Sequence, residues 1–190
     1  MASYADALVG AAARLGIDPA WLANIIQLES GGNPQARNPT SGATGLIQFM
    51  PSTAPTVGTT VNDLYPMDGR QQMPYVEQYF QNVIAKFGPL RSQEDVIAAV
   101  FYPAYIGQPD REFPANVQVA NPGLRTMRDY VRRLSASARL PVEGIAGGPL
   151  AGLGGGNKAV QLALVGSLAG LILLATWRYQ DDLRNQFLGA

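Results

Sequence analysis

Nineteen consecutive residues without a charge, AVQLALVGSLAGLILLATW from Ala159 to Trp177, restrict this 190-residue chain more than any other stretch of it. A helix that lacks a polar face along its whole length has no natural place on a soluble domain, where one stripe is buried and the opposite face is wetted. At 1.5 Å per residue the run reaches about 28 Å, close to the roughly 30 Å of a bilayer's hydrocarbon core. Lys158 and Arg178 bound it, and Trp177 and Tyr179 close it with the amphipathic rings favoured at a membrane interface. Residues 158–179 are therefore expected to form one transmembrane helix in contact with the lipid bilayer, followed by a short polar tail over 180–190. Gly166 and Gly170 make a GxxxG pair within it, a spacing that could support helix-helix self-association. Basic residues lie on both flanks, Arg139 and Lys158 before the span and Arg178 and Arg184 after it, so no orientation follows.

Upstream of the span, PVEGIAGGPLAGLGGGN (Pro141 to Asn157) carries seven glycines and two prolines. So few side chains cannot pack a core, and 141–157 reads as a flexible tether. Residues 1–140 remain for a single globular domain. Their apolar spacing is helical nearly everywhere, with no alternating stretch long enough to demand a sheet, so the fold class is mostly α. Asp18 with Pro19 is an N-cap followed by proline at the first helical position, opening PAWLANIIQLES, which Gly31-Gly32 ends. A second helix is expected to start at Pro74, with Tyr75, Tyr79, Val83 and Phe87 as its stripe. Ser92 and Asp95 resemble a capping box before VIAAVFY, which Pro103 ends. A short amphipathic helix, LRTMRDYVRRL, follows Pro122, its arginines forming a solvated face. Trp21 is expected in the core. The amino terminus has no basic segment ahead of an apolar one, and so no signal peptide is expected.

The chemistry is bounded by what is missing. There is no cysteine and no histidine, which removes thiolate nucleophiles, Ser-His-Asp triads and the usual zinc sites. No metal and no cofactor are expected. Fourteen basic residues balance fourteen acidic ones, so nucleic acid is not an indicated partner. An enzyme here must work with carboxylates, hydroxyls or amides. Glu29 stands out because it closes an apolar helix, with Ile25 and Ile26 one turn earlier on the same side. Apolar neighbours and the negative end of a helix dipole both favour the protonated form, as a general acid requires. On these local grounds alone, a solvent-facing glutamate at a helix end is the more economical reading.

The stretch LESGGNPQARNPTSGATGLIQFMPSTA (Leu28 to Ala54) resembles the signature of the soluble lytic transglycosylase family, a Glu-Ser at a helix end followed by a Gly-Leu-Met-Gln-x-Met-Pro segment, here GLIQFMP. The resemblance implies a lysozyme-like helical fold and Glu29 as the single catalytic acid and base. It also implies a substrate-binding set. Ser30 would hydrogen-bond Glu29 or cap the helix end, and Gln48 would meet an N-acetyl amide. Gly45 would allow a turn with positive φ or a close backbone approach, and Met50 would line the sugar cleft or sit in the core. A third family motif, Ala-Tyr-Asn-x-Gly, is matched more loosely by AVFYPAYIG, where Tyr102 would hold the acid or the sugar and Pro103 stands in place of asparagine. MDGRQQMPYVEQYF, VFYPAYIGQP and NPGLRTMRDYV are similar to segments of phage-encoded members.

What the family implies is cleavage of peptidoglycan between N-acetylmuramic acid and N-acetylglucosamine with formation of a 1,6-anhydro product. A hydrolase on the same scaffold would use a second carboxylate, and Asp63, Asp68, Glu77, Glu94 and Asp95 are the candidates. Two alternatives stay open: a hydrolytic lysozyme, and a weakly catalytic wall-binding structural protein. Because the wall lies outside the cytoplasmic membrane, the expectation for a chain of this kind is a phage virion protein, anchored in a membrane and acting in the bacterial envelope during genome delivery. A cellular secretion-system enzyme is the alternative setting.

Overall fold

The computed structural model describes residues 3–120 and 122–136, and the expected tether, membrane span and tail, with Gly166 and Gly170, lie outside the described residues. Among the described residues no helix is long and apolar enough to cross a membrane. The helices are α1 (Tyr4–Leu15), α2 (Pro19–Ser30), α3 (Val61–Leu64), α4 (Gly69–Phe87), α5 (Gln93–Phe101), α6 (Ala115–Ala120) and α7 (Met127–Ala136), with 3-10 turns at Ala54–Val57 and Pro103–Tyr105. Among the described residues β pairing is confined to the bridges Arg37 with Thr44, Thr44 with Phe49, and Glu112 with Thr126. The expectation of a mostly α domain holds over the described residues.

Helix α2 forms where its end signals say it should. The Asp18 side chain accepts from the Ala20 N–H at 2.8 Å, Pro19 takes the first turn, and Gly31 closes the helix in the left-handed region at φ 64°. This helix is the spine of the core. Leu22, Ile25 and Ile26 are unexposed, and α2 packs against α1 on one side and α5 on the other. In turn α1 lies along α4, and α7 supports α5. Trp21 is half-buried against this core and not inside it, a correction to the sequence expectation.

One helix start and one helix cap differ from expectation for physical reasons. Helix α4 begins at Gly69, not Pro74, because Asp68 and Gln71 form a reciprocal capping box one turn earlier. The earlier start adds Gln72 and Met73 to the helix, and they enter the core with Val76, Phe80 and Val83, while Tyr75, Tyr79 and Phe87 lie half-buried on the flank. Ahead of α5 only half of the expected box exists. Ser92 accepts from the Asp95 N–H at 3.2 Å, but the Asp95 carboxylate instead accepts from the N–H groups of Arg91 at 2.8 Å and Gly107 at 2.7 Å. The buried carboxylate thus ties the segment after Pro103–Tyr105 back to the head of α5. Helix α7 starts with a box that was not expected, Thr126 with Asp129. Its Arg128 pairs with Asp110 through two contacts of 2.6 and 2.9 Å, so part of the arginine face is committed to ion pairing.

Candidate active site

Glu29 occupies the last turn of α2, half-buried between the buried Leu28 and Ser30. Two glycines with positive φ, Gly31 at 64° and Gly32 at 76°, end the helix at once and let the chain turn away behind the carboxyl. Burial pushes the Glu29 carboxyl from an ordinary 4.5 up to about 8. A carboxyl in that state still holds its proton at neutral pH. Burial, and after it the Glu29 charge, push the phenol of Tyr79 on α4 up. The Tyr79 hydroxyl donates to the Ala99 carbonyl at 2.9 Å, and its ring meets Phe49 edge-on at 6.0 Å. The phenol that feels the acid is thus itself fixed by an α5 carbonyl and a loop aromatic.

The GLIQFMP segment forms a hairpin whose tip is buried. Thr44 and Phe49 exchange both backbone hydrogen bonds, at 3.0 and 2.9 Å, and Gln48 N–H donates to the Gly45 carbonyl at 3.1 Å across the turn. Gly45 has φ 88°, so the expected turn with positive φ is present. Gln48 is the one non-glycine residue among those described with positive φ, at 52°. Its own side chain holds it there, the amide donating to the carbonyls of Ala36 at 3.2 Å and Gly45 at 3.0 Å. Both Gln48 donors therefore serve the protein, and the side-chain oxygen is the group that remains to accept.

Of the two expected roles of Ser30, the structure shows the one at the helix end and not a bond to Glu29. Its hydroxyl lies 3.1 Å from the Ile26 carbonyl and 2.9 Å from that of Leu46, so it neither donates to Glu29 nor faces a cleft. It staples the end of α2 to the hairpin. Met50 is half-buried just past the hairpin, and its carbonyl accepts from the N–H groups of Thr53 and Ala54, both at 2.9 Å. Tyr102 is buried, stacked edge-on with Tyr105 at 5.3 Å and tilted against Phe113 at 5.8 Å. Pro103 follows it at the start of the 3-10 turn, which bends the chain where the family pattern has asparagine.

Two residues that sequence reasoning missed complete the arrangement, Tyr79 and Gln72. Gln72 is unexposed on α4. Its oxygen accepts from the Leu46 N–H at 2.9 Å, and its nitrogen donates to the carbonyls of Pro34 at 2.7 Å and Leu64 at 2.9 Å. A Cβ at Gly45 would stand 2.5 Å from the Gln72 oxygen, which is why the turn needs glycine there. The available signal was a glutamine beside Met73 and Val76 in an apolar stripe.

The candidate second carboxylates are engaged in other tasks. Asp63 accepts from the Thr60 hydroxyl, Asp68 caps α4, Glu77 pairs with Arg14 at 2.7 Å, Glu94 lies 3.7 Å from Arg128, and Asp95 holds two backbone N–H groups. What the arrangement offers is a carboxyl that burial holds toward its protonated form, at the end of a helix that Ser30 ties to the hairpin.

The same region carries the kinship. Residues 7–99 match the Transglycosylase SLT domain, a stretch that includes α2, the hairpin, α4 and most of α5. The "Transglycosylase" of Enterobacteria phage PRD1 is 40% identical over 55 residues, which is 29% of this chain and 20% of that relative. The match thus spans about a fifth of the relative's own length. No solved structure matches the chain. Its Glu-Ser helix end and GLIQFMP hairpin both lie within residues 7–99, the part of this chain that matches the Transglycosylase SLT domain family.

Proposed function

We propose that the protein is a peptidoglycan lytic transglycosylase in which Glu29 alone serves as acid and then as base. The observation that carries this reading is the half-buried Glu29 carboxyl, raised to about 8 by burial while other carboxylates serve structural tasks. With that pKa roughly nine-tenths of the molecules hold the proton at pH 7. Glu29 donates it to the glycosidic oxygen as the bond to the anomeric carbon of N-acetylmuramic acid breaks. The carboxylate so formed then takes the proton of the same sugar's 6-hydroxyl, whose oxygen attacks the anomeric carbon and closes a 1,6-anhydro ring. No water is consumed, so no second carboxylate is needed to activate one. In this reading the Gln48 oxygen accepts from an N-acetyl N–H, Gly45 shapes the turn that presents it, and Met50 and Tyr102 border the sugar groove.

The test is the mass of the products. Muropeptides released from purified sacculi should be lighter by one water than hydrolytic products and lack reducing ends. Reducing muropeptides would convert the reading to a lysozyme, and equal clearing by wild type and Glu29→Gln would remove Glu29 as the acid.

The setting proposed for this activity is a phage particle, with the chain held in a membrane by residues 158–179 and opening the wall locally during genome delivery. Its support is the uncharged run Ala159 to Trp177 and the similarity to a phage transglycosylase. Purified virions that lack the chain by mass spectrometry would overturn it.

A further inference from the structure

A turn with a buried tip must find partners for the backbone groups it withdraws from water. In the hairpin, Leu46 is unexposed and Ile47 nearly so. Neither backbone group of Leu46 is met from within the turn. Its N–H donates to the Gln72 oxygen at 2.9 Å, and its carbonyl accepts from the Ser30 hydroxyl at 2.9 Å. One residue of the hairpin is therefore gripped from both sides, by α4 and by the residue next to Glu29. Gln72 is in turn anchored through its nitrogen to Pro34 and Leu64, with Met67 at 3.4 Å, so it does not swing free. The far end of the same hairpin, Phe49, stands against Tyr79, which senses the Glu29 charge.

From this chain of contacts we propose that Gln72 is a positioning residue for the acid: acting through Leu46 and Ser30, its amide holds the hairpin down on the end of α2 and keeps water from Glu29. A side chain needed only to fill the core at this place could be apolar, as Met73 and Val76 beside it are. The amide is explained by the backbone groups it gathers. The inference rests on the reading of Glu29 as the acid, and it concerns how that residue keeps its proton.

The decisive variant is Gln72→Met, which preserves side-chain length and removes the amide. In the full chain carrying 13C at the glutamate carboxyls, the Glu29 resonance is identified as the one missing from Glu29→Gln, and its midpoint is followed against pH. Loosening of the hairpin admits water, and the midpoint should fall by about one unit. At pH 8 the rate on sacculi should then drop from about half of its plateau to about a tenth, with KM little changed, as a one-unit shift dictates. Ser30→Ala should move the midpoint the same way, and Ser30→Thr, which keeps a hydroxyl, should restore it. A lower melting temperature with an unmoved Glu29 midpoint in both Gln72→Met and Ser30→Ala would overturn the proposal and leave Gln72 a purely structural residue. The midpoint does not depend on turnover. Failure of the wild type to cleave sacculi would therefore sink the functional reading separately.

Discussion

The ring of Tyr79 stands edge-on to that of Phe49, centroids 6.0 Å apart and planes at 89°, and this contact joins α4 to the hairpin beside Glu29. Because the Tyr79 hydroxyl also donates to Ala99, the ring is fixed at both ends. Tyr79→Phe keeps the edge contact and loses the hydrogen bond, which should cost about 1 kcal/mol of stability with activity largely kept. Tyr79→Ala removes the ring and should lower both activity and the Glu29 midpoint. Denaturant unfolding together with pH profiles of the two variants checks the contrast.

Glu29→Gln should abolish cleavage while keeping the fold. The amide has the carboxyl's shape but no proton to donate, so kcat should fall by at least about 10²-fold. Sacculus-clearing assays beside circular dichroism would show it, and residual activity above that level would point to a different acid.

The same carboxyl sets a pH dependence of stability. Its folded value of about 8 lies above the ordinary 4.5, so between these pH values the folded state binds more proton than the unfolded one. Stability is fully present below about pH 4.5, declines as pH rises, and levels off above about pH 8, with a total change of up to a few kcal/mol. Activity should follow the protonated form and fall with a midpoint near 8. Glu29→Gln should flatten this part of the stability curve and be the more stable protein at pH 9. Melting temperatures measured from pH 4 to 9 on both proteins decide it; parallel curves would count against a buried, protonated Glu29.

Asp95→Asn should be costly although it changes few atoms. The carboxylate accepts from two N–H groups, and an asparagine can oppose only one of them with its oxygen while turning its own N–H₂ toward the other. A loss of about 1.5–3 kcal/mol is expected, as for hydrogen bonds to a buried charge. Urea unfolding measures it. By contrast, Arg14→Ala breaks a pair whose arginine is 61% exposed, and should cost little stability.

What the sequence made legible is what is decided locally. The limits of α2 follow from Asp18-Pro19 and Gly31-Gly32, and the turn at Gly45 follows from a glycine in a matched motif, so the position of Glu29 at a helix end was readable before any fold. The partners of that carboxyl were not. Tyr79 and Gln72 become neighbours of the hairpin only once α4 is packed, and Gln72 is helical only because the Asp68–Gln71 box starts α4 ahead of the signal offered by Pro74. Which of its two roles Ser30 takes was hidden for a related reason. A hydroxyl beside a catalytic carboxyl invites pairing with it, yet the buried carbonyl of Leu46, sixteen residues on, has the greater need of a donor. Asp95 had the spacing of a reciprocal cap, and only the return of the chain at Gly107 shows why its carboxylate is used elsewhere.

Gly45→Ala should be among the most damaging single-methyl additions in the domain. The new Cβ would stand 2.5 Å from the Gln72 oxygen, at a backbone φ of 88° that alanine resists. Strain and the displaced hydrogen bond together should cost about 2–4 kcal/mol, measured by urea unfolding, and clearing should fall with it.

Gly45 and Gln72 thus divide one small volume between them, and neither can be altered without the other noticing. Drift at these two sites is expected to go in pairs: a methyl gained at position 45 becomes tolerable only once the long amide at 72 has been traded for something shorter. Gly45→Ala with Gln72→Ser should therefore be less harmful than the sum of its parts, making two residues 27 apart in the chain a single unit of inheritance.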